Sequence, residues 1–136
     1  MTQYYLELNQ NSNYLISNSD VIITSGVNNA LPCLLISDLI FSRSELGVNA
    51  RFSGSIYYSL NAKNQNKQAI FYEQYYIPED IVEQLGIVDV SGVNTFNTID
   101  NISLMFCQYL KTLKVILPNG DITENFIFEN WTIKTV

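Results

Sequence analysis

Residues 55–77, SIYYSLNAKNQNKQAIFYEQYYI, place two aromatic-rich runs on either side of a polar, asparagine-rich centre. Side chains alternate along both runs, which predicts two β-strands. The polar centre predicts the turn between them, because asparagine and serine favour turns. We expect a hairpin centred near Asn64, and its cross-strand pairs would be Tyr58 with Ile70, Ile56 with Tyr72, and Tyr57 with Phe71.

The two faces of this predicted hairpin differ in composition. One face holds mostly isoleucine, tyrosine and leucine, so we expect it to face the core. The other mixes serine, alanine and glutamate with three rings, Tyr57, Phe71 and Tyr75. These rings either cover a neighbouring loop or form a contact surface for a protein or a sugar, since tyrosine combines apolar area with a hydroxyl group. With Trp131, they are the predicted contact residues.

The rest of the sequence predicts more short strands. Residues 3–8 alternate, with Tyr4, Leu6 and Leu8 on one side; residues 14–24 predict a tight hairpin; and CLLISDLIF (33–41) predicts a central strand that is apolar on both faces. The PNGD segment (118–121) predicts a hairpin turn with Gly120 at positive φ, and WTIKTV (131–136) predicts an edge strand. Together these patterns predict an all-β, antiparallel sandwich or jelly-roll-like fold in one domain, residues 1–136.

Two segments bear on helix content. IPEDIVEQLG (77–86) predicts a short helix, because Pro78 suits its first turn and Gly86 its end. The run IDNISLMFCQYLKTLKVIL (99–117) is ambiguous, since Ile102, Phe106 and Tyr109 follow helical spacing while both alternation faces are also apolar. We favour a strand for residues 99–113, because strands are predicted on either side of it.

Asp38 interrupts the apolar run 33–41. A buried aspartate there would have a raised pKa and could serve as an acid or base. The alternative, which we favour, is that Asp38 marks a bulge or turn. General acid–base chemistry ordinarily needs a second titratable partner, and none is evident. Asp38 is therefore a weak catalytic candidate.

The charge distribution disfavours several ligands. The chain has a formal net charge of −6, and its seven basic residues are scattered singly. Nucleic acids and anionic membranes attract clustered lysine and arginine, so we expect neither as a partner. No apolar run reaches the ~20 residues that cross a bilayer, and the N-terminal sequence does not resemble a signal peptide. We therefore expect cytoplasmic synthesis.

The residue types also limit the chemistry. The sequence contains no histidine, which removes the commonest base near neutral pH and a frequent zinc ligand. Cys33 and Cys107 both lie in apolar surroundings and are predicted to be free core thiols. We accordingly expect no metal, no cofactor and no enzymatic activity.

Three function classes follow from these observations. The leading hypothesis is a non-enzymatic structural protein that assembles with itself or with a larger scaffold, for example a virion decoration or tail component, in which case it would be virion-associated. The second is a jelly-roll-type carbohydrate-binding module that uses Tyr57, Tyr75 and Trp131. The third is a carboxylate-based enzyme around Asp38.

Overall fold

The structure is a computed structural model that describes residues 3–16, 20–26, 30–44, 47–80 and 102–136. These ranges contain nine strands, all paired antiparallel, and few helical residues, which confirms the all-β class. The strands are β1 (Tyr4–Leu8), β2 (Asn13–Leu15), β3 (Ile22–Thr24), β4 (Cys33–Ser44), β5 (Gly47–Tyr57), β6 (Phe71–Ile77), β7 (Lys114–Ile116), β8 (Ile122–Phe126) and β9 (Trp131–Thr135). Two helices are described, α1 (Leu60–Asn64) and α2 (Ile102–Leu110).

A five-stranded sheet with the order β6-β5-β4-β1-β9 forms the main layer. Strand β4 lies at its centre, as the apolar run 33–41 predicts, and β9 lies at one edge, as expected for the C-terminal strand. Strands β2 and β3 form a separate two-stranded sheet, and so do β7 and β8. Both small sheets are hairpins, in agreement with the turns expected near residues 14–24 and at Gly120, which has φ 92°.

The core lies on one face of the five-stranded sheet. Alternation places Leu6, Leu34 and Ile56 on this face, and each is fully buried. Helix α2 packs over it through Phe106, whose ring stacks on that of Phe52 at a centroid distance of 4.4 Å. Tyr14 and Ile23 of the β2–β3 hairpin join the same core. In the described ranges a helix and a hairpin, rather than a second large sheet, cover the main layer, so the sandwich or jelly-roll arrangement is not confirmed.

The register between β5 and β6 differs by one residue from the prediction. Ile56 pairs with Phe71, and Ser55 pairs with Tyr72. The shift in register arises in the connection between β5 and β6, because the polar segment forms helix α1 rather than a simple turn. Ser59 caps this helix by accepting a hydrogen bond from the Ala62 N–H.

A one-residue shift exchanges the two faces of a strand. On β6 the prediction was therefore wrong: Tyr75 and Ile77 point to the core, whereas Tyr72 and Tyr76 are exposed. On β5, Ile56 is buried as expected, but Tyr58 just beyond the strand is exposed.

The strand favoured for residues 99–113 was also wrong, because residues 102–110 form helix α2. The spacing of Phe106 and Leu110 places both side chains on the buried side of the helix. The strand-like part of the run begins only at Lys114, where β7 starts. Packing on the sheet therefore decided a pattern that the sequence left open.

The bulge that we favoured for Asp38 is confirmed. The pairing of β4 with β5 shifts between Ser37 and Ile40, so two residues of β4 oppose one of β5. Asp38 takes φ 53° at this shift, and its side chain is exposed. Most of the helix predicted at 77–86 lies outside the described residues.

Candidate functional site

A cleft of about 540 Å³ opens between the β2–β3 hairpin and the β7–β8 hairpin. Strand β2 supplies one wall, and β7 with the end of β8 supplies the other. Its volume lies in the range of ~300–1,000 Å³ that is usual for ligand sites. The residues that line it are mostly apolar: Asn13, Tyr14, Leu15, Val115, Ile116, Pro118, Phe126, Ile127, Glu129, Asn130 and Trp131.

Both walls of the cleft expose large aliphatic side chains. Leu15 is 58% exposed and Ile116 is 63% exposed. Each has an exposed isoleucine opposite it in its own hairpin, since Leu15 pairs with Ile22 and Ile116 pairs with Ile122. Isolated apolar residues on a surface are ordinary, but contiguous groups mark interaction sites. Here four such residues lie on the two hairpins that border one cleft.

The floor of the cleft is aromatic. The ring of Tyr14 meets Trp131 edge-on at 5.2 Å and stacks on Phe128 at 5.7 Å. Trp131 is only 1% exposed, and its indole N–H is buried without a hydrogen-bond partner among the described residues. An unsatisfied buried donor costs ~1–3 kcal/mol. Because these rings pack on one another and Trp131 is enclosed, the floor is a packed part of the core.

Lys111 fixes the turn below this floor. It directly follows helix α2, and its ammonium group donates hydrogen bonds to the carbonyl oxygens of Phe128 at 2.8 Å and Trp131 at 2.6 Å. A charged donor makes stronger bonds than a neutral one. Through Lys111, helix α2 holds the chain segment that carries the aromatic floor.

Charged side chains are sparse around the cleft. Among the described residues that line it, Glu129 is the one ionisable group with a full charge at neutral pH. Nearby, the Lys114 ammonium pairs with the Glu124 carboxylate at 3.5 Å and lies over the Phe126 ring at 5.6 Å. This pair neutralises itself, so Glu129 is the one charged side chain among the described residues of the lining.

Three of the four predicted contact residues lie away from this cleft, and all four are buried or half-buried. Trp131 lines it, but as an enclosed floor residue rather than an exposed ring, so its prediction as an exposed contact residue was wrong. Phe71 and Tyr75 are half-buried against the main core. Tyr57 is half-buried on the opposite face of the sheet, beside a small cluster that contains Tyr5.

The sequence reasoning missed the exposed hairpin residues, although a signal for them was present. Ile22 and Ile23 are consecutive apolar residues of one short strand, so one must point away from the core. Ile23 is buried and Ile22 is exposed. On β2, Tyr14 is likewise buried and its neighbour Leu15 is exposed. Apolar residues on both faces of a two-stranded hairpin therefore indicate an outward-facing apolar surface.

The remaining reactive groups are enclosed. Cys33 and Cys107 are free and buried, as predicted, and burial raises the pKa of each thiol to about 12. Burial also raises the pKa of Tyr75, to which the nearby Glu73 carboxylate adds. In the described ranges no three acidic, cysteine or histidine side chains form a group able to hold a metal ion. No helix in those ranges is both long and apolar enough to span a bilayer.

Comparison with protein-family models, curated proteins and solved structures gives no match. The cleft and the exposed residues of the two hairpins are therefore the basis for a proposed function.

Proposed function

We propose that this chain is a non-enzymatic interaction protein that assembles with itself or with a larger scaffold through its two exposed hairpins. A virion decoration or tail component is one setting for such a protein. The observation that carries the proposal is a group of four exposed aliphatic side chains on the two hairpins that border the cleft. Leu15 and Ile116 line the cleft, and Ile22 and Ile122 are their cross-strand partners.

Burial of these side chains would supply a useful binding energy. Full burial of a leucine or isoleucine contributes ~1.5–3 kcal/mol. Four such residues, which are 58–69% exposed in the isolated chain, would offset part of the ~4–15 kcal/mol cost of association, and preformed hairpins keep the further cost of ordering low. The β2–β3 hairpin rests on the packed aromatic floor through Tyr14, which supports a preformed wall on that side of the cleft.

The other two function classes have weaker support. A carbohydrate-binding site would need exposed rings, and two of the rings predicted for that role are not exposed, because Trp131 is enclosed and Tyr75 faces the core. Asp38 has a backbone explanation for its place in β4, because it occupies the bulge at positive φ. None of these three residues adds support for sugar binding or for catalysis.

Light scattering on paired variants tests the proposal. Leu15→Lys with Ile116→Lys places two charges on the cleft walls, whereas Asn61→Lys with Gln68→Lys adds the same charge at exposed positions near α1. We expect the unmodified protein and the α1 variant to form an assembly of defined mass, alone or with a stoichiometric partner. The cleft variant should remain monomeric. A monomeric unmodified protein without any partner, or equal assembly of both variants, would overturn the proposal.

A further inference from the structure

The backbone groups of Asn13 and Leu15 form an outer edge of β2 along the cleft, and no strand among the described residues covers it. Ile16 donates its N–H to the Val21 carbonyl oxygen at 2.9 Å, and Ser25 donates to the Ser12 carbonyl oxygen at 3.0 Å. Backbone groups alternate in direction along an antiparallel strand, so those of Asn13 and Leu15 point away from β3. Within the described residues, β2 has no strand neighbour except β3. All three residues of β2 line the cleft.

An outer edge beside apolar side chains suits the addition of an extended peptide. The added segment gains main-chain hydrogen bonds, and its alternate side chains enter apolar pockets. Across the cleft, Leu117 donates its N–H to the backbone carbonyl oxygen of Asp121 at 2.9 Å. Because backbone groups alternate in direction along a strand, those of the adjacent Ile116 point away from β8. Ile116 and Phe126 then offer apolar contacts to a segment that lies on β2.

Charge selects among the possible occupants. Among the described residues of the lining, Glu129 is acidic and none is basic, and the whole chain has a net charge of −6. A second copy would bring like charge to the cleft, whereas a segment with a lysine or arginine would bring the opposite charge. The complementary occupant is therefore a basic segment of a different chain.

We propose that the cleft binds an extended, alternately apolar segment of another protein that carries a basic residue, and that this segment pairs with the outer edge of β2. The inference rests on the proposed function and names the partner's chemistry. The inference predicts that Leu15, on the β2 wall, contributes more to binding of this segment than exposed residues of the same hairpin that lie outside the lining.

The test uses a synthetic peptide and the chain's single tryptophan. The probe alternates valine and threonine over six residues, ends in lysine, and has blocked termini. Because Trp131 forms part of the cleft floor, its emission should change saturably as the peptide binds. Leu15→Lys should weaken binding at least tenfold, while Thr24→Lys, at an exposed position of the same hairpin outside the lining, should change it less than twofold. Circular dichroism checks that both variants fold.

Two altered peptides separate the contributions. A proline in the middle removes a main-chain donor and should abolish binding. Glutamate in place of the terminal lysine should weaken binding at low salt, and the difference should shrink at high salt. A flat titration, or equal effects of Leu15→Lys and Thr24→Lys, would overturn the inference. If the titration is flat but the cleft variant above still loses its assembly, only this inference fails. If assembly also persists, the proposed function fails with it.

Discussion

Tyr14 meets Trp131 edge-on, with ring centroids 5.2 Å apart, and this contact joins the β2–β3 hairpin to strand β9 of the main sheet. Two-stranded hairpins are marginally stable on their own. The buried Tyr14 ring therefore anchors the hairpin whose outer side forms one wall of the cleft. The core and the candidate contact surface share this residue.

Tyr14→Ala should lower the free energy of unfolding by about 3 kcal/mol, because large aromatic-to-alanine changes in a core leave a cavity. Tyr76→Ala is the control, since that ring is 62% exposed and its loss should change stability by less than ~0.5 kcal/mol. Urea denaturation followed by circular dichroism measures both values. Similar losses for the two variants would show that Tyr14 does not anchor the hairpin.

Lys111→Met should destabilise the protein by about 2 kcal/mol, because two carbonyl oxygens lose a charged donor while the aliphatic stem is kept. The emission of Trp131 should also shift to longer wavelength as the turn loosens and admits water. Lys67→Met, at an exposed position, should change neither quantity. An unaltered emission spectrum in Lys111→Met would argue against a role for this lysine in holding the floor.

Asp38 offers a test of backbone conformation. At φ 53° an ordinary side chain costs ~1–2 kcal/mol, whereas asparagine tolerates this region well. Asp38→Asn should therefore leave stability nearly unchanged, and Asp38→Val should lower it by about 1–2 kcal/mol. Thermal unfolding of both variants checks the difference. Equal stability of the two would contradict the assigned backbone strain.

The buried thiols predict a decline of stability at alkaline pH. An unfolded cysteine ionises near its ordinary pKa of 9.0, whereas burial holds Cys33 and Cys107 protonated up to about pH 12. Unfolding therefore releases protons between these values, so the thiol contribution is complete below pH 9 and is lost as pH rises toward 12.

Cys107→Val should accordingly show a shallower loss of stability over this pH window than the unmodified protein. Denaturant unfolding at pH 8, 9 and 10 measures the slope for both proteins. Identical slopes would mean that Cys107 ionises equally easily in the folded and unfolded states.

Sequence pattern predicted the features that depend on local chemistry. The run 33–41 identified the central strand, Gly120 the hairpin turn, and Asp38 the bulge. The pattern did not predict the faces of β6, because both faces of this strand carry aromatic rings and the connection through α1 shifts the pairing by one residue. Tertiary packing determined the conformation of the segment around Phe106, whose spacing fits both a helix and a buried strand.

The candidate surface was harder to predict from the sequence than the fold. Aromatic content drew attention to Tyr57, Phe71 and Tyr75, but rings of this size also fill cores, and burial alone separates the two uses. The exposed residues that border the cleft are aliphatic and lie on two hairpins distant in sequence, Leu15 on one and Ile116 on the other. Their proximity follows from the fold.

Amide hydrogen exchange, compared between the isolated chain and its native assembly, tests the central claim most directly. Exchange protection should rise at β2 and β7 on assembly, while α1 should exchange equally in both states. Protection confined to α1 or to the exposed side of β6, with β2 and β7 unchanged, would contradict the assignment of the hairpin cleft as the contact surface.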